Sequence, residues 1–175
     1  MRITRFVALV VALLGSPLSH GGELRRIEPT PAPALELPDT GGVARGLADW
    51  QGRVVLLNFW ASWCPPCLQE MPSIQRLAEH LRGRSFAVVT VNVAEVDRRA
   101  AGAMTRLGLD FPILLDADAS TFRAWGGKGL PTSALIDSEG MLRYLGLGPL
   151  EWDDAEVVEA VEGLLREAGA EGDGK

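Results

Sequence analysis

"RVVLLNFWASWCPPC", residues 53–67, changes character halfway along. Residues 53–60 form a nearly unbroken apolar run, rich in β-branched and aromatic side chains and preceded by Gly52. Such a run predicts a strand buried on both faces, as in the middle of a parallel sheet. The stretch then ends on Cys64-Pro65-Pro66-Cys67, which holds both cysteines of the 175-residue chain. A cysteine pair directly after a buried strand poses the question of function: staple, metal clip or reaction centre.

Outward from this stretch, "SFAVVTVNV" (85–93) repeats the buried-strand signature, and "FPILLD" (111–116) and "SALID" (133–137) are shorter versions. Helix-period stretches fall between and after them, at residues 66–81, 97–107, 120–125 and 153–168. Strands alternating with helices imply βαβ units, hence an α/β fold whose central sheet carries helices on both faces. "ALELPDTGG" (34–42) and "GMLRYLGLG" (140–148) have no helix beside them and read as hairpin strands, so antiparallel additions make the sheet mixed. Residues 95–116 read as an insertion in the centre of the domain.

The chain has room for one well-packed domain. Arg2 and Arg5, the apolar run 6–14 and the small residues around 19–21 resemble a secretory signal, with an uncleaved anchor as the alternative, since the run is short of the roughly 20 residues of a bilayer span. The expected division is a signal at 1–21, a tether at 22–33 with Pro29, Pro31 and Pro33 at every second position, a domain at 34–168 and a flexible tail at 169–175. Removing residues 1–21 takes away two arginines and no acid, moving the net charge from −6 to −8. That balance argues against nucleic acid, which needs clustered Lys and Arg.

As a staple the cysteine pair is weak: a ring of about four residues contributes roughly 2 kcal/mol in the chain-entropy account. As a structural zinc site it is short of ligands, since His20 and His80 are the only histidines and His80 sits late in a helix as a surface residue. A transient two-thiolate copper site is the one metal reading left, and no cofactor is implied. As a reaction centre it is well placed. Cys64 precedes a helix whose first turn contains Pro65 and Pro66, and the positive end of a helix favours a thiolate. Cys64 can attack a disulfide and Cys67, one turn on, can resolve the product.

At "FWASWCPPC" the sequence resembles the thioredoxin superfamily, and "RVVLLNFWASWCPPCLQEMPSI" resembles its extracytoplasmic TlpA/ResA-like branch. The likeness continues through "VNVAE", "DFPILLDAD", "GLPTSALIDSEG" and "GPLEWDD". It implies a thioredoxin-like fold, with Cys64 as the exposed nucleophile, Cys67 as the buried resolving thiol, and Pro131 as a cis-proline facing the pair. Leu130 would then offer its backbone to an extended substrate chain. Pro72 matches a helix-kinking proline, and Glu70 matches a glutamate near the sulfurs that could move protons, although an acid early in a helix is equally natural as a surface residue. Where ordinary thioredoxins carry a buried aspartate this chain has Asn58, which cannot titrate. Trp63 beside the pair and Pro65 within it are candidate substrate contacts, Trp60 reads as packing, and Trp125 and Trp152 as core or interface residues.

No histidine or cation stands between the cysteines, and the two prolines remove backbone donors from the Cys64 sulfur. A less favoured thiolate points to a reductase. The resemblance implies protein substrates bearing disulfides, apocytochrome c or copper-site proteins of oxidase assembly, and a membrane electron donor of the thiol-reducing type. The N-terminal signal, cleaved or kept as an anchor, leads to the expectation of a periplasmic or otherwise extracytoplasmic location, and a monomer is expected. A general thiol oxidase and a non-catalytic module holding copper or a partner are the alternative classes.

Overall fold

A computed structural model of the chain describes residues 21–95 and 97–172. The stretch that opened the sequence reading is its centre: β4 (Val54–Trp60) is buried at all seven positions. Its two faces serve two cores. Val54, Leu56 and Trp60 pack with Met71, Ile74 and Leu77 of α1 (Pro65–His80), and with residues of α2 (Asp97–Leu107) and α4 (Ala155–Gly172). Val55, Leu57 and Phe59 pack against Leu35, Leu37, Trp125 and partly buried Phe122 of α3 (Ser120–Ala124). The period-2 alternation of strand side chains is what lets one run feed both layers.

The main sheet has six strands in the order β1-β8-β7-β4-β5-β6. β5 (Phe86–Val93) and β6 (Ile113–Asp116) run parallel to β4, while β7 (Thr132–Ile136) pairs antiparallel with β4 on its other side, and β8 (Met141–Leu147) antiparallel with β7. β2 (Glu36–Pro38) and β3 (Ala44–Gly46) form the expected N-terminal hairpin, joined to the sheet by a bridge from Asp39 to Leu114. Residues 95–116 build α2 and β6, adding an edge to the sheet. Trp60 and Trp152 are fully buried, Trp125 is buried with its Nε1–H donated to Ala34 O at 3.2 Å, and exposed His80 lies 3.4 Å from Glu162.

The stretch read as a tether forms β1 (Glu23–Pro31) instead, antiparallel to β8 with Glu23 opposite Leu147 and Pro31 opposite Met141. Its prolines fit an edge strand. N–H groups alternate sides along a paired strand, and Ala32 N–H points inward to Gly140 O, so Pro31 misses only an outward donor, while Pro29 lies in the irregularity of pairing between Arg26 and Thr30. The tail also differs, since residues 169–172 continue α4. The signal assignment to residues 1–20 lies outside the described residues, and no described helix is long and apolar enough to cross a membrane. Because Leu24 and Ile27 pack on the two cores, a chain beginning at Ala32 is expected to lose about 3 kcal/mol in urea unfolding. An unchanged midpoint would return the segment to the status of a tether.

Candidate active site

Cys64 follows β4 at the carboxyl end of the parallel strands and is the N-cap of α1, with extended backbone angles and Pro65 and Pro66 in the first two helical positions. The two cysteines are joined, Sγ to Sγ at 2.10 Å with the Cα atoms 5.3 Å apart. Cys67 N–H donates to Cys64 Sγ at 3.3 Å. The expectation of an exposed Cys64 needs correction, since it is 4% exposed against 0% for Cys67. Solvent reaches the pair's neighbours instead: Trp63 is 60% exposed and Pro65 is exposed. Pro72 lies inside α1 as expected.

The Leu130–Pro131 peptide is cis. Pairing of Thr132 with Phe59 sets Pro131 beside the end of β4, four residues before Cys64, so the sheet register brings the two motifs to one rim. Pro131 is buried and Leu130 half-buried, packing against both cores, and Pro131 O accepts from Gly148 N at 3.1 Å. Trp63, Pro65, Leu130 and Pro131 therefore belong to one end of the molecule.

Glu70, one turn after Cys67, is not a surface acid: it is 2% exposed. Its Oε1 accepts from Asn58 Nδ2 at 2.7 Å and its Oε2 from Leu150 N at 3.0 Å. Asn58 Nδ2 also donates to Ser133 Oγ at 2.9 Å, which ties β4, β7 and α1 together. Burial raises the Glu70 pKa from 4.5 to about 7, against the opposing pull of the Leu150 and Asn58 hydrogen bonds. The Trp152 indole faces the same carboxylate without completing a hydrogen bond of ordinary geometry. Asn58 thus supplies a donor to the titrating group rather than an acid of its own.

Sequence reasoning missed Glu95. It follows β5, is 8% exposed, and accepts both the Ser62 N–H and the Ser62 Oγ–H at 2.6 Å, and Asn92 Nδ2 at 2.9 Å. Ala94 before it adopts φ 56°, a conformation that side-chain-bearing residues seldom take. Burial raises the Glu95 pKa, but the hydrogen bonds from Ser62 and Asn92 outweigh it and hold the group below its ordinary value. The carboxylate clamps the 61–63 turn that delivers Cys64. The last letter of "VNVAE" was its only signal, and nothing local says where that side chain turns. Glu95→Ala, which leaves the Ser62 and Asn92 donors without their acceptor, is expected to cost about 2 kcal/mol in thermal or urea unfolding. A loss under about 0.5 kcal/mol would reduce the clamp to a surface contact.

A cysteine pair joined as a disulfide at a helix start, near an exposed tryptophan and a buried acid, is an arrangement that can exchange disulfides. Among the described residues no three His, Cys, Asp or Glu side chains converge as a metal site. The Redoxin family model matches residues 28–163. The thiol-disulfide oxidoreductase ResA of Bacillus subtilis is 37% identical over 113 residues, 65% of this chain and 63% of that protein. The chain therefore spans somewhat less than two thirds of that relative's length. ResA of Geobacillus thermodenitrificans is 35% identical, with 70% of this chain and 71% of that one covered. A solved thiol:disulfide interchange protein of the thioredoxin family from Chlorobium tepidum aligns at TM-score 0.67 and 30% identity, over 79% of this chain and 98% of that one. With the fold, the joined cysteine pair and these relatives in agreement, the chain belongs to the Redoxin family, among the ResA-like thiol-disulfide oxidoreductases of the thioredoxin superfamily.

Proposed function

We propose that this oxidoreductase works outside the cytoplasm as a reductase of particular protein disulfides. The Cys64 thiolate attacks one sulfur of the partner's disulfide, forming a mixed disulfide and releasing the other sulfur as a thiolate. Cys67 then gives its proton to the Glu70 carboxylate and attacks Cys64 Sγ, releasing the second partner thiolate and leaving the Cys64–Cys67 disulfide. Two electrons pass to the partner, whose two thiolates take their protons from water. Trp63, Pro65, Leu130 and Pro131 would hold the partner's chain at the rim. An apocytochrome c before haem attachment or a copper-site protein fits as substrate, and a membrane donor of thiol-reducing type would restore the dithiol. The targeting pattern of residues 1–21 supports the location.

One observation carries the direction of electron flow. Of the three backbone groups that follow Cys64, two are prolines without N–H, so the Cys67 N–H at 3.3 Å is the one donor that the first turn aims at the sulfur. With few donors the thiolate is little stabilised, the reduced form is a stronger reductant, and the potential is low. Equilibration of the purified protein with glutathione is expected to give a potential below about −200 mV. A value near −120 mV, where strong oxidants lie, would reverse the direction and make the protein a thiol oxidase.

A further inference from the structure

Glu70 also lines a groove that the cysteine pair does not. A groove of about 1190 Å³ opens between the start of β1, the 149–154 loop and one side of α4, and Gln69, Glu70 and Leu150 form part of its wall. Neither Cys64 nor any of Trp63, Pro65, Leu130 and Pro131 lines it. The carboxyl group, 2% exposed and one helical turn from Cys67, thus belongs to the wall of a groove that the named rim residues do not line. Two buried polar atoms in its surroundings, Asn58 Oδ1 and Trp152 Nε1, have no hydrogen-bond partner among the described residues, and both are groups that water satisfies.

The groove's wall mixes apolar surface with paired charges. Glu159 is held by Arg166 at 2.7 Å, Glu151 by Arg76 at 3.5 Å and Glu167 by Arg143 at 2.8 Å. Glu23 and Arg26 of β1, with Asp154 and Glu156 at the start of α4, complete the charged part of the wall. Of these charges Glu151 acts most directly on Glu70, disfavouring its ionised form.

From this placement we infer that the groove is the proton exit of the reaction, used while a partner protein covers the cysteine rim. The inference rests on Glu70 being the group that accepts the Cys67 proton. In the resolving step Cys67 S–H gives its proton to Glu70, the new S–S bond forms to Cys64 and the partner sulfur leaves as thiolate. The Glu70 proton then passes through groove water to solvent, which supplies the partner thiolate. A small disulfide leaves the rim open and does not depend on the groove.

Gly163 of α4 provides the test. It lines the groove, and a Cβ there would meet only the Arg166 side chain at 3.8 Å, so a large side chain has room to enter. Gly163→Phe narrows the groove and Gly163→Ala controls for the helix. Each reduced protein is mixed with 5,5′-dithiobis(2-nitrobenzoate), and separately with a small folded protein carrying its single surface cysteine as the mixed disulfide with 5-thio-2-nitrobenzoate. Acid-quenched samples then follow release of the probe protein from Cys64. Gly163→Phe should slow that release about tenfold while leaving the small disulfide and the alanine variant at wild-type rates. Equal rates for Gly163→Phe with the protein probe, or equal slowing with both probes, overturns the inference. Glu70→Gln separates the premises: if it slows release but Gly163→Phe does not, the groove fails alone, and if Glu70→Gln has no effect, the base assignment fails with it.

Discussion

Cys67→Ser protein, reduced and mixed with a disulfide-bearing partner, is expected to accumulate as a covalent adduct through Cys64. Cys64→Ser is expected to form no adduct and to lose reductase activity by about a thousandfold or more. The asymmetry comes from the helix start. Cys64 precedes the first turn next to exposed Trp63 and Pro65, whereas Cys67 is turned fully into the core against α1 and β4. A partner sulfur can come into line with the first and not the second. Once the mixed disulfide exists, Cys67 is the only thiol held within a turn of it, and effective concentration makes its attack much faster than that of any free thiol. Non-reducing electrophoresis with identification of the captured chain reads the result and names the partner. An adduct through Cys67 in the Cys64→Ser protein would falsify the assignment of roles.

Glu70→Gln has the second large effect. As a proton acceptor Glu70 must be ionised, so the resolving rate of the wild type should rise with pH through about 7. The glutamine variant should lose that inflection and run about a hundredfold slower above it. The same ionisation has a cost in stability. Because the folded-state pKa, about 7, lies above the ordinary 4.5, the native protein keeps its proton where the unfolded chain has released it. Stability of the disulfide form should therefore be highest below about pH 4.5 as far as this group is concerned. It should fall across the window up to about 7, by about 3 kcal/mol if the whole rise is expressed. Glu70→Gln should remove that slope. A glutamine variant with the wild-type inflection, or a wild type whose stability is flat over the window, would return Glu70 to a structural role.

Much of the fold could be read locally. β4, β5 and β7 are uniform apolar runs between breakers, and α1 is marked by two prolines at its first turn, so periodicity alone located them. The exception was β1. Alternating prolines describe an extended chain equally well whether it is free or paired on one side, and only β8, more than a hundred residues later, decides between those states. The helical tail gave a smaller difference of the same kind, since where a helix ends depends on what it packs against.

The site divides along the same line. Sequence by itself determined the reacting chemistry, because two thiols three residues apart at a strand-to-helix junction are a local arrangement, and it determined the scarcity of donors around Cys64, because proline lacks an N–H in any fold. Tertiary structure alone decided the electrostatics. The proton affinity of Glu70 is set by burial beneath the 150–152 loop and by Asn58, and that of Glu95 by Ser62 across the gap between two strands. Desolvation and hydrogen bonding act through distances of a few ångströms in space, and Asn58, Ser62 and Leu150, which impose them here, lie 12 to 80 positions away in the chain.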